Sequence, residues 1–151
     1  QNEWEVASGV PHIPFEALDE NYVIDREAYL SYFRKMHHLF PKCKKMVMAV
    51  RNQIASSHHT LSGLLYDAVE DQLYTTRIYD IQPVVDPMGV GDAFVAAYIH
   101  AHQKWGDKNQ YCLDFSLSAS AIKNTIPGDQ NLVSEEEIIS NMTSSGGRIQ
   151  R

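Results

Sequence analysis

Apolar side chains in residues 25–41 recur at the spacing of a helix. Four of them stand at i, i+4, i+7 and i+11: Tyr29, Phe33, Met36 and Phe40. Residues at these intervals share one face of an α-helix, and charged residues occupy other positions. Asp25 precedes the run as an N-cap, and Pro41 follows it as a helix breaker. The pattern predicts an amphipathic helix whose apolar stripe packs into a core.

Shorter apolar runs in residues 46–85 predict β-strands. Residues 46–51 are apolar almost without interruption, which indicates a strand that is covered on both faces. Residues 56–80 alternate between apolar and polar positions, with a polar turn at 67–71, and predict a β-hairpin or meander. Residues 82–85 are predicted to be a last short strand, which leads to Asp86.

The second half of the chain is predicted to be mainly helical. One helix is expected from about Gly91 to Lys104. Its apolar positions are Phe94, Val95, Tyr98, Ile99 and Ala101. A second helix, rich in small residues, is expected over 109–123, followed by a turn at 125–129 and a short acidic helix capped by Ser134. Helices interleaved with short strands are typical of an α/β layered fold.

Composition and charge narrow the class of protein. The chain has 151 residues, of which 44% are hydrophobic and 21% charged, as in one ordinary globular domain. A formal net charge of -6 argues against a nucleic-acid partner that is bound by phosphate neutralisation. Cys43 and Cys112 lack CxxC spacing, and no segment is long and apolar enough to span a bilayer. We therefore expect a reduced, cytoplasmic protein without a membrane partner, and a homo-oligomer is left open.

The candidate chemistry is concentrated in residues 86–96. Gly89 and Gly91 stand at the start of a predicted helix, where glycine lets the backbone turn sharply and approach a ligand. The first N–H groups of a helix have no intrahelical partner and carry the positive end of its dipole, so they form an anion site. Asp92 in the first turn is either a helix-stabilising charge or a general base beside a phosphate. Taken alone, a Gly-x-Gly-Asp turn also fits a purely structural role.

The longer string from Asp86 to Phe94 resembles the signature of the ribokinase-like (PfkB-type) carbohydrate kinases. It has the form Asp-x-x-Gly-x-Gly-Asp-x-Phe and is followed by small residues. It departs from the family pattern at Met88, which is often Thr, at Val90, which is usually Ala, and at Ala97, which is usually Gly. The resemblance implies the C-terminal part of a ribokinase-like three-layer α/β/α sandwich.

The resemblance implies roles for this string and for a second motif. Asp92 would be the general base. The anion hole would consist of the backbone amides of three residues: Gly89, Val90 and Gly91. Asn2 and Glu5 match an Asn-x-x-Glu motif, whose members help to hold the Mg²⁺ and the triphosphate of ATP. Asn2 is also explained as the N-cap of a short helix over residues 3–8.

Further positions are implied to line the nucleotide and cation sites. ATP would lie between a loop at 49–53 and the end of the helix predicted over 109–123. The residues near it would be Ala49, Arg51 and Gly128. In many members of the family a monovalent cation such as K⁺ lies under the anion hole, bound by the residue that matches Asp86 and by carbonyls such as that of Met88.

Segments at 49–51, 56–59, 124–129 and 147–151 look most like 2-keto-3-deoxygluconate kinases. The resemblance thus implies an ATP-dependent phosphotransferase that acts on a sugar acid. A kinase for a neutral sugar such as fructose or ribose, and a non-catalytic nucleotide-binding fragment, are the alternatives. The resemblance covers residues 1–151, which correspond to the C-terminal nucleotide-binding and catalytic portion of such a kinase. The N-terminal portion, which supplies most sugar contacts and the lid in the family, is absent from these residues. We therefore expect a fragment that is inactive alone.

Overall fold

The computed structural model describes residues 23–144 of the chain. These residues divide into two compact units, one formed by 23–46 and 66–73 and the other by 47–65 and 74–144. The helix predicted over 3–8 and the segment 147–151 lie outside the described residues. Within 23–144, no helix has both the length and the apolar character needed to cross a membrane.

The first unit contains helix α1, Arg26–Leu39, as the apolar pattern predicts. The Asp25 side chain caps the helix, because its Oδ1 accepts hydrogen bonds from the backbone N–H groups of Glu27 and Ala28. Three of the four predicted core side chains are buried: Tyr29, Phe33 and Met36. The prediction was wrong for Phe40, which is 41% exposed, because the helix ends at Leu39 and residue 40 leaves the helical conformation.

Four strands follow: β1 (Lys45–Ala55), β2 (His58–Asp67), β3 (Gln72–Thr75) and β4 (Tyr79–Ile81). Their order in the sheet is β1-β2-β3, and β4 pairs antiparallel with β2, so that Leu61 lies opposite Tyr79. The predicted hairpin and its turn are confirmed. The predicted distribution of burial was wrong, because β2 is buried along nearly its whole length while β1 is only half-buried.

Residues 82–85 do not form the predicted strand, because β4 already ends at Ile81. Pro83 has no N–H to donate to a neighbouring strand. The next two backbone amides donate to different segments. Val84 N donates to Ser57 O at 2.8 Å, and Val85 N donates to Asn124 O at 2.8 Å. The segment therefore reaches Asp86 as an irregular connection that is tied to loops.

Three helices complete the second unit: α2 (Val90–Trp105), α3 (Asn109–Lys123) and α4 (Glu135–Thr143). All three match predicted helices. Two of the apolar positions of α2, Val95 and Ile99, are about half-exposed. The buried stripe of α2 instead follows smaller side chains: Val90, Ala93, Phe94, Ala97 and Ala101. Ser134 caps α4 in a reciprocal capping box with Glu137, as the sequence predicts.

Helix α3 lies at the centre of this unit, and every residue from 115 to 123 is buried. Three buried serine hydroxyls donate to different carbonyls: Ser116 to Cys112 O, Ser118 to Ile138 O of α4, and Ser120 to Val90 O of α2. One core cluster joins α2 and α3 to the sheet: Leu61, Leu65, Tyr79, Ile81, Val90, Phe94, Leu113, Leu117 and Ala121. Helix α3 thus contacts the start of α2 through the Ser120 hydrogen bond and through this cluster.

Candidate functional site

The carboxylate of Asp86 joins two loops of the second unit. Its Oδ1 accepts a hydrogen bond from Met88 N at 2.9 Å, within its own loop. Its Oδ2 accepts one from Gly128 N at 2.9 Å, in the loop that follows α3. These two N–H donors, first Met88 and then Gly128, lower the pKa of Asp86. The structure thus brings together three of the residues that the sequence singled out.

Asn124 makes a second connection between the same two loops. Its backbone carbonyl accepts from Val85 N at 2.8 Å and from Asp86 N at 3.2 Å. Its side chain is buried, and Nδ2 donates to Ser120 O at 2.9 Å. The position of the loop before α2 is therefore fixed by the end of α3. Sequence reasoning missed this role, because Asn124 was singled out only as the first residue of the segment 124–129 that carries the family resemblance.

Gly89 adopts a backbone conformation that favours glycine. Its φ is 72° and its ψ is 2°, in the left-handed region, and it is the N-cap of α2. A Cβ at this position would lie 2.3 Å from Asp129 O, well inside van der Waals contact. Glycine is therefore required both by the dihedral angle and by the close approach of the second loop.

Helix α2 begins at Val90, so Gly91 lies in its first turn rather than before it. The first intrahelical hydrogen bond runs from Ala93 N to Gly89 O at 2.9 Å. The N–H groups of Val90, Gly91 and Asp92 precede this bond and have no partner within the helix. Gly91 is exposed, and a Cβ placed on it meets nothing within 4 Å. The Cβ direction of Gly91 is therefore open, and unpaired amides at a helix N-terminus are suited to an anionic group.

Asp92 lies in the same first turn, with its side chain exposed to solvent. An anionic side chain here is stabilised by the positive end of the helix dipole. A carboxylate beside amides that can bind a phosphate is also placed to accept a proton from a nucleophile that attacks that phosphate. The first turn of α2 therefore holds both an exposed carboxylate and backbone amides without an intrahelical partner.

The prediction of a loop at 49–53 was wrong, because strand β1 continues to Ala55, so Ala49 and Arg51 both lie on β1. Ala49 packs against the core cluster under the sheet, whereas Arg51 is exposed. The pKa of the buried His59 is lowered, first by burial and then by the positive charge of Arg51, while the Asn124 side chain acts in the opposite direction. Arg51 thus acts electrostatically on His59 of β2, and the partly buried Ala49 packs against the core.

Two of the predicted site residues, Asn2 and Glu5, lie outside the described residues. Their predicted role with Mg²⁺ stays a prediction. Among residues 23–144, no group of three or more His, Cys, Asp or Glu side chains forms a potential metal site.

Lys123 is a further residue of this region whose environment sequence reasoning did not predict. It is the last residue of α3 and is completely buried, and its Nζ donates to Ile126 O at 3.0 Å. The only signal in the sequence was a charged residue at the end of an otherwise small and apolar helix face.

Solved structures resemble the chain along most of its length. The 2-dehydro-3-deoxygluconokinase from Thermotoga maritima matches 94% of the chain, with a TM-score of 0.80 and 25% sequence identity. A PfkB family carbohydrate kinase from Listeria grayi matches 75%, with a TM-score of 0.70 and 29% identity. A protein from Enterococcus faecalis, provisionally assigned as a 2-keto-3-deoxygluconate kinase, matches 100% with a TM-score of 0.68, and its 16% identity supports the fold alone.

These neighbours confirm the resemblance to PfkB-type carbohydrate kinases and the predicted α/β fold. The chain covers 39%, 34% and 42% of the three proteins, so it spans about two fifths of their length or less. No protein-family model matches the sequence, and no curated protein matches it either.

Proposed function

We propose that this chain, which has the fold of the PfkB-type carbohydrate kinases, supplies the nucleotide-binding and catalytic portion of an ATP-dependent kinase for a sugar acid. The proposed acceptor is 2-keto-3-deoxygluconate. The observation that carries the proposal is the start of α2, where backbone amides without an intrahelical partner and the exposed carboxylate of Asp92 share one turn. The similarity to the Thermotoga maritima enzyme supports the choice of a sugar acid.

In the proposed reaction, Asp92 accepts the proton of a sugar hydroxyl as its oxygen attacks the γ-phosphorus of ATP. The bond from that phosphorus to the β,γ-bridging oxygen breaks, and ADP leaves with the bonding electron pair. The amides of Gly89, Val90 and Gly91 donate hydrogen bonds to the oxygens of the transferring group. Phosphoryl transfer depends mainly on such positioning and electrostatic stabilisation.

The cofactors of this proposal are ATP and Mg²⁺. The exposed guanidinium of Arg51 offers a cation that suits a nucleotide phosphate, and Gly128 lies in the loop whose amide is bonded to Asp86. Asn2 and Glu5 are the proposed Mg²⁺–triphosphate residues. Mg²⁺ would neutralise charge on the phosphate oxygens. A cytoplasmic location fits the two free thiols, Cys43 and Cys112.

A neutral-sugar kinase is the second candidate, because the neighbour from Listeria grayi is a PfkB family carbohydrate kinase whose description names no sugar acid. We expect the full-length protein to prefer 2-keto-3-deoxygluconate. A site that pairs a buried carboxylate leaves polar groups without partners when a neutral sugar binds. The measurement is kcat/KM for 2-keto-3-deoxygluconate, fructose and ribose at equal Mg²⁺ and K⁺. A higher kcat/KM for either neutral sugar would refute the sugar-acid assignment and leave the kinase assignment standing.

A non-catalytic nucleotide-binding fragment is the third candidate, since the chain spans only part of the kinases that it resembles. We expect residues 1–151, expressed alone, to show no measurable phosphotransfer. The reaction needs the acceptor hydroxyl in line with the γ-phosphate, and the proposal assigns most sugar contacts to residues outside the chain. A coupled ADP-release assay with the sugars above tests this, with the full-length protein as the positive control. Turnover by the isolated chain would show that no further residues are needed.

A further inference from the structure

A cavity of about 210 Å³ lies in the second unit, between helices α3 and α4 and the segment that leads into β4. An apolar cavity of about 150 Å³ holds benzene, so this space suits a molecule of roughly six to nine non-hydrogen atoms. The cavity is separate from the candidate site, because Asp114 in its wall lies about 14 Å along α3 from Lys123, at about 1.5 Å per residue. The side chains that line it are Arg77, Tyr79, Gln110, Asp114 and Met142.

Arg77 is held in a fixed position in the cavity wall. Its Nη2 donates to Tyr79 Oη at 2.9 Å and to Asn141 O at 2.6 Å, and its Nη1 donates to Ser144 O. The guanidinium carbon also lies 4.5 Å from the centre of the Tyr79 ring. Among residues 23–144, these neutral oxygens take three of the five guanidinium N–H groups. A positive charge and two N–H groups are therefore left for an anionic acceptor.

Asp114 brings a carboxylate to the same cavity. Its Oδ1 accepts a hydrogen bond at 3.0 Å from the neutral amide of Gln110, one turn earlier on α3. The same amide nitrogen donates to Thr75 O at 3.0 Å, so Asp114 shares this donor. Burial raises the pKa of Asp114, while the Gln110 hydrogen bond and the charge of Arg77 act in the opposite direction. A half-buried carboxylate with a shared neutral donor is stabilised further by a donor that carries a positive charge.

We propose that this cavity binds a small α-amino acid as its zwitterion, with the ligand carboxylate at Arg77 and the ligand ammonium group at Asp114. One molecule of this class supplies an opposite charge to each of the two side chains. Charge-assisted hydrogen bonds are about twice as strong as neutral ones. Met142 gives the cavity an apolar wall, which suits a short side chain such as that of alanine or serine. Gln110 is exposed at the edge of the cavity and leaves a path for entry.

The test uses the full-length protein with L-alanine and L-serine as probes, each at 50 mM. Acetate and methylammonium, which carry one charge each, are the controls at matched ionic strength. We expect either amino acid to raise the melting temperature by about 2 °C or more, as a ligand that binds only the folded state does. Acetate or methylammonium should give no more than half of this rise. An equal rise with a singly charged probe, or no rise with both amino acids, would overturn the proposal.

The position of the ligand is tested with ¹³C-methyl-labelled methionine. The signal of Met142, assigned with Met142→Leu, should shift as L-serine is added and should saturate at the concentration that calorimetry gives. A Met142 signal that does not move at saturating L-serine would place binding elsewhere and overturn the proposal. This measurement needs no variant of a charged residue.

Asp114→Asn separates a binding role from a structural one. Asparagine has the same shape and can still accept from Gln110, but it cannot pair with an ammonium group. We expect the affinity for L-serine to fall about tenfold or more. A carboxyl group whose pKa is raised on folding disfavours the folded state at neutral pH, so the ligand-free variant should melt no lower than the wild type. Unchanged affinity in the folded variant would overturn the proposal.

Glu136→Gln is the matched control, because it removes an exposed carboxylate of α4 that does not line the cavity, and it should keep the wild-type affinity. If Asp114→Asn does not fold, the wild-type titrations and the Met142 signal decide alone. None of these measurements needs turnover. A protein that phosphorylates no sugar would therefore refute the proposed function without affecting the result on this cavity.

Discussion

Replacing Asp92 with asparagine in the full-length protein is expected to lower kcat by about 10²–10⁴-fold, the contribution that a general base typically makes. Asparagine has the same shape as aspartate and cannot accept the proton of the attacking hydroxyl. The side chain is exposed in the first turn of α2, so the loss should come from chemistry and not from misfolding. ATP binding should remain nearly intact, because the backbone amides that are proposed to hold the phosphate are unchanged.

The measurement pairs steady-state kinetics with nucleotide binding by calorimetry. The matched control is Glu136→Gln, which removes a first-turn carboxylate from α4, away from the candidate site. Each change should cost about 0.3–1 kcal/mol in the free energy of unfolding, since each removes a favourable interaction with a helix dipole. If Asp92→Asn keeps more than a tenth of the wild-type kcat, Asp92 is not the base.

Gly89→Ala is expected to have the largest effect on folding. The residue has a φ of 72°, and an added Cβ would lie 2.3 Å from the backbone oxygen of Asp129. Backbone strain of this kind costs about 1–3 kcal/mol. Relief of the clash must also move one of the two loops. We expect a loss of at least about 2 kcal/mol in the free energy of unfolding, with a fall in activity as the amides move.

Gly91→Ala is the matched control two positions further on. It lies in the first turn of α2, and its Cβ would meet nothing within 4 Å. The free energy of unfolding should therefore be unchanged or slightly higher, since alanine favours a helix more than glycine does. Its activity should nevertheless fall if a phosphate approaches the backbone there, because the methyl group would occupy that space. Urea unfolding of both variants with activity measured in parallel separates the two effects. Equal stability of Gly89→Ala and the wild type would contradict the structural argument.

The helices were predictable because their signals are local. The spacing of apolar residues and the caps at Asp25 and Ser134 involve neighbours in sequence, and the structure confirms both caps. Burial of the strands was not predictable in this way. Strand β2 alternates in sequence but is buried because β1 and β3 flank it in the sheet, and β1 is apolar but half-exposed. Position in a sheet is a tertiary property that a run of residues does not encode.

The candidate site shows the same limit. The Gly-x-Gly-Asp string was recognisable because glycine and a first-turn acid have local physical reasons to occur there. The link from Asp86 to Gly128 spans 42 residues, and the burial of Lys123 depends on how α3 packs, so neither could be deduced from spacing. Sequence reasoning identified the residues at the surface of the site and missed much of the support beneath it.

The small residues of α3 suggest that serine and alanine could replace one another there. The hydrogen bonds of the serine hydroxyl groups show that the three serine positions are not equivalent. Serine alternates with leucine or alanine along residues 116–121, and alanine would fit by size at each serine position. Yet Ser118 is bonded to α4 and Ser120 to the first residue of α2, while Ser116 bonds within its own helix. Alanine at 116 would remove only a hydrogen bond within α3, whereas alanine at 118 or 120 would remove a hydrogen bond between α3 and a neighbouring helix. Substitution at 118 and 120 is therefore limited by the need for a hydroxyl group that points at a given carbonyl, and not by side-chain volume. The start of α2 depends on this hydroxyl at Ser120, which is bonded to Val90 O.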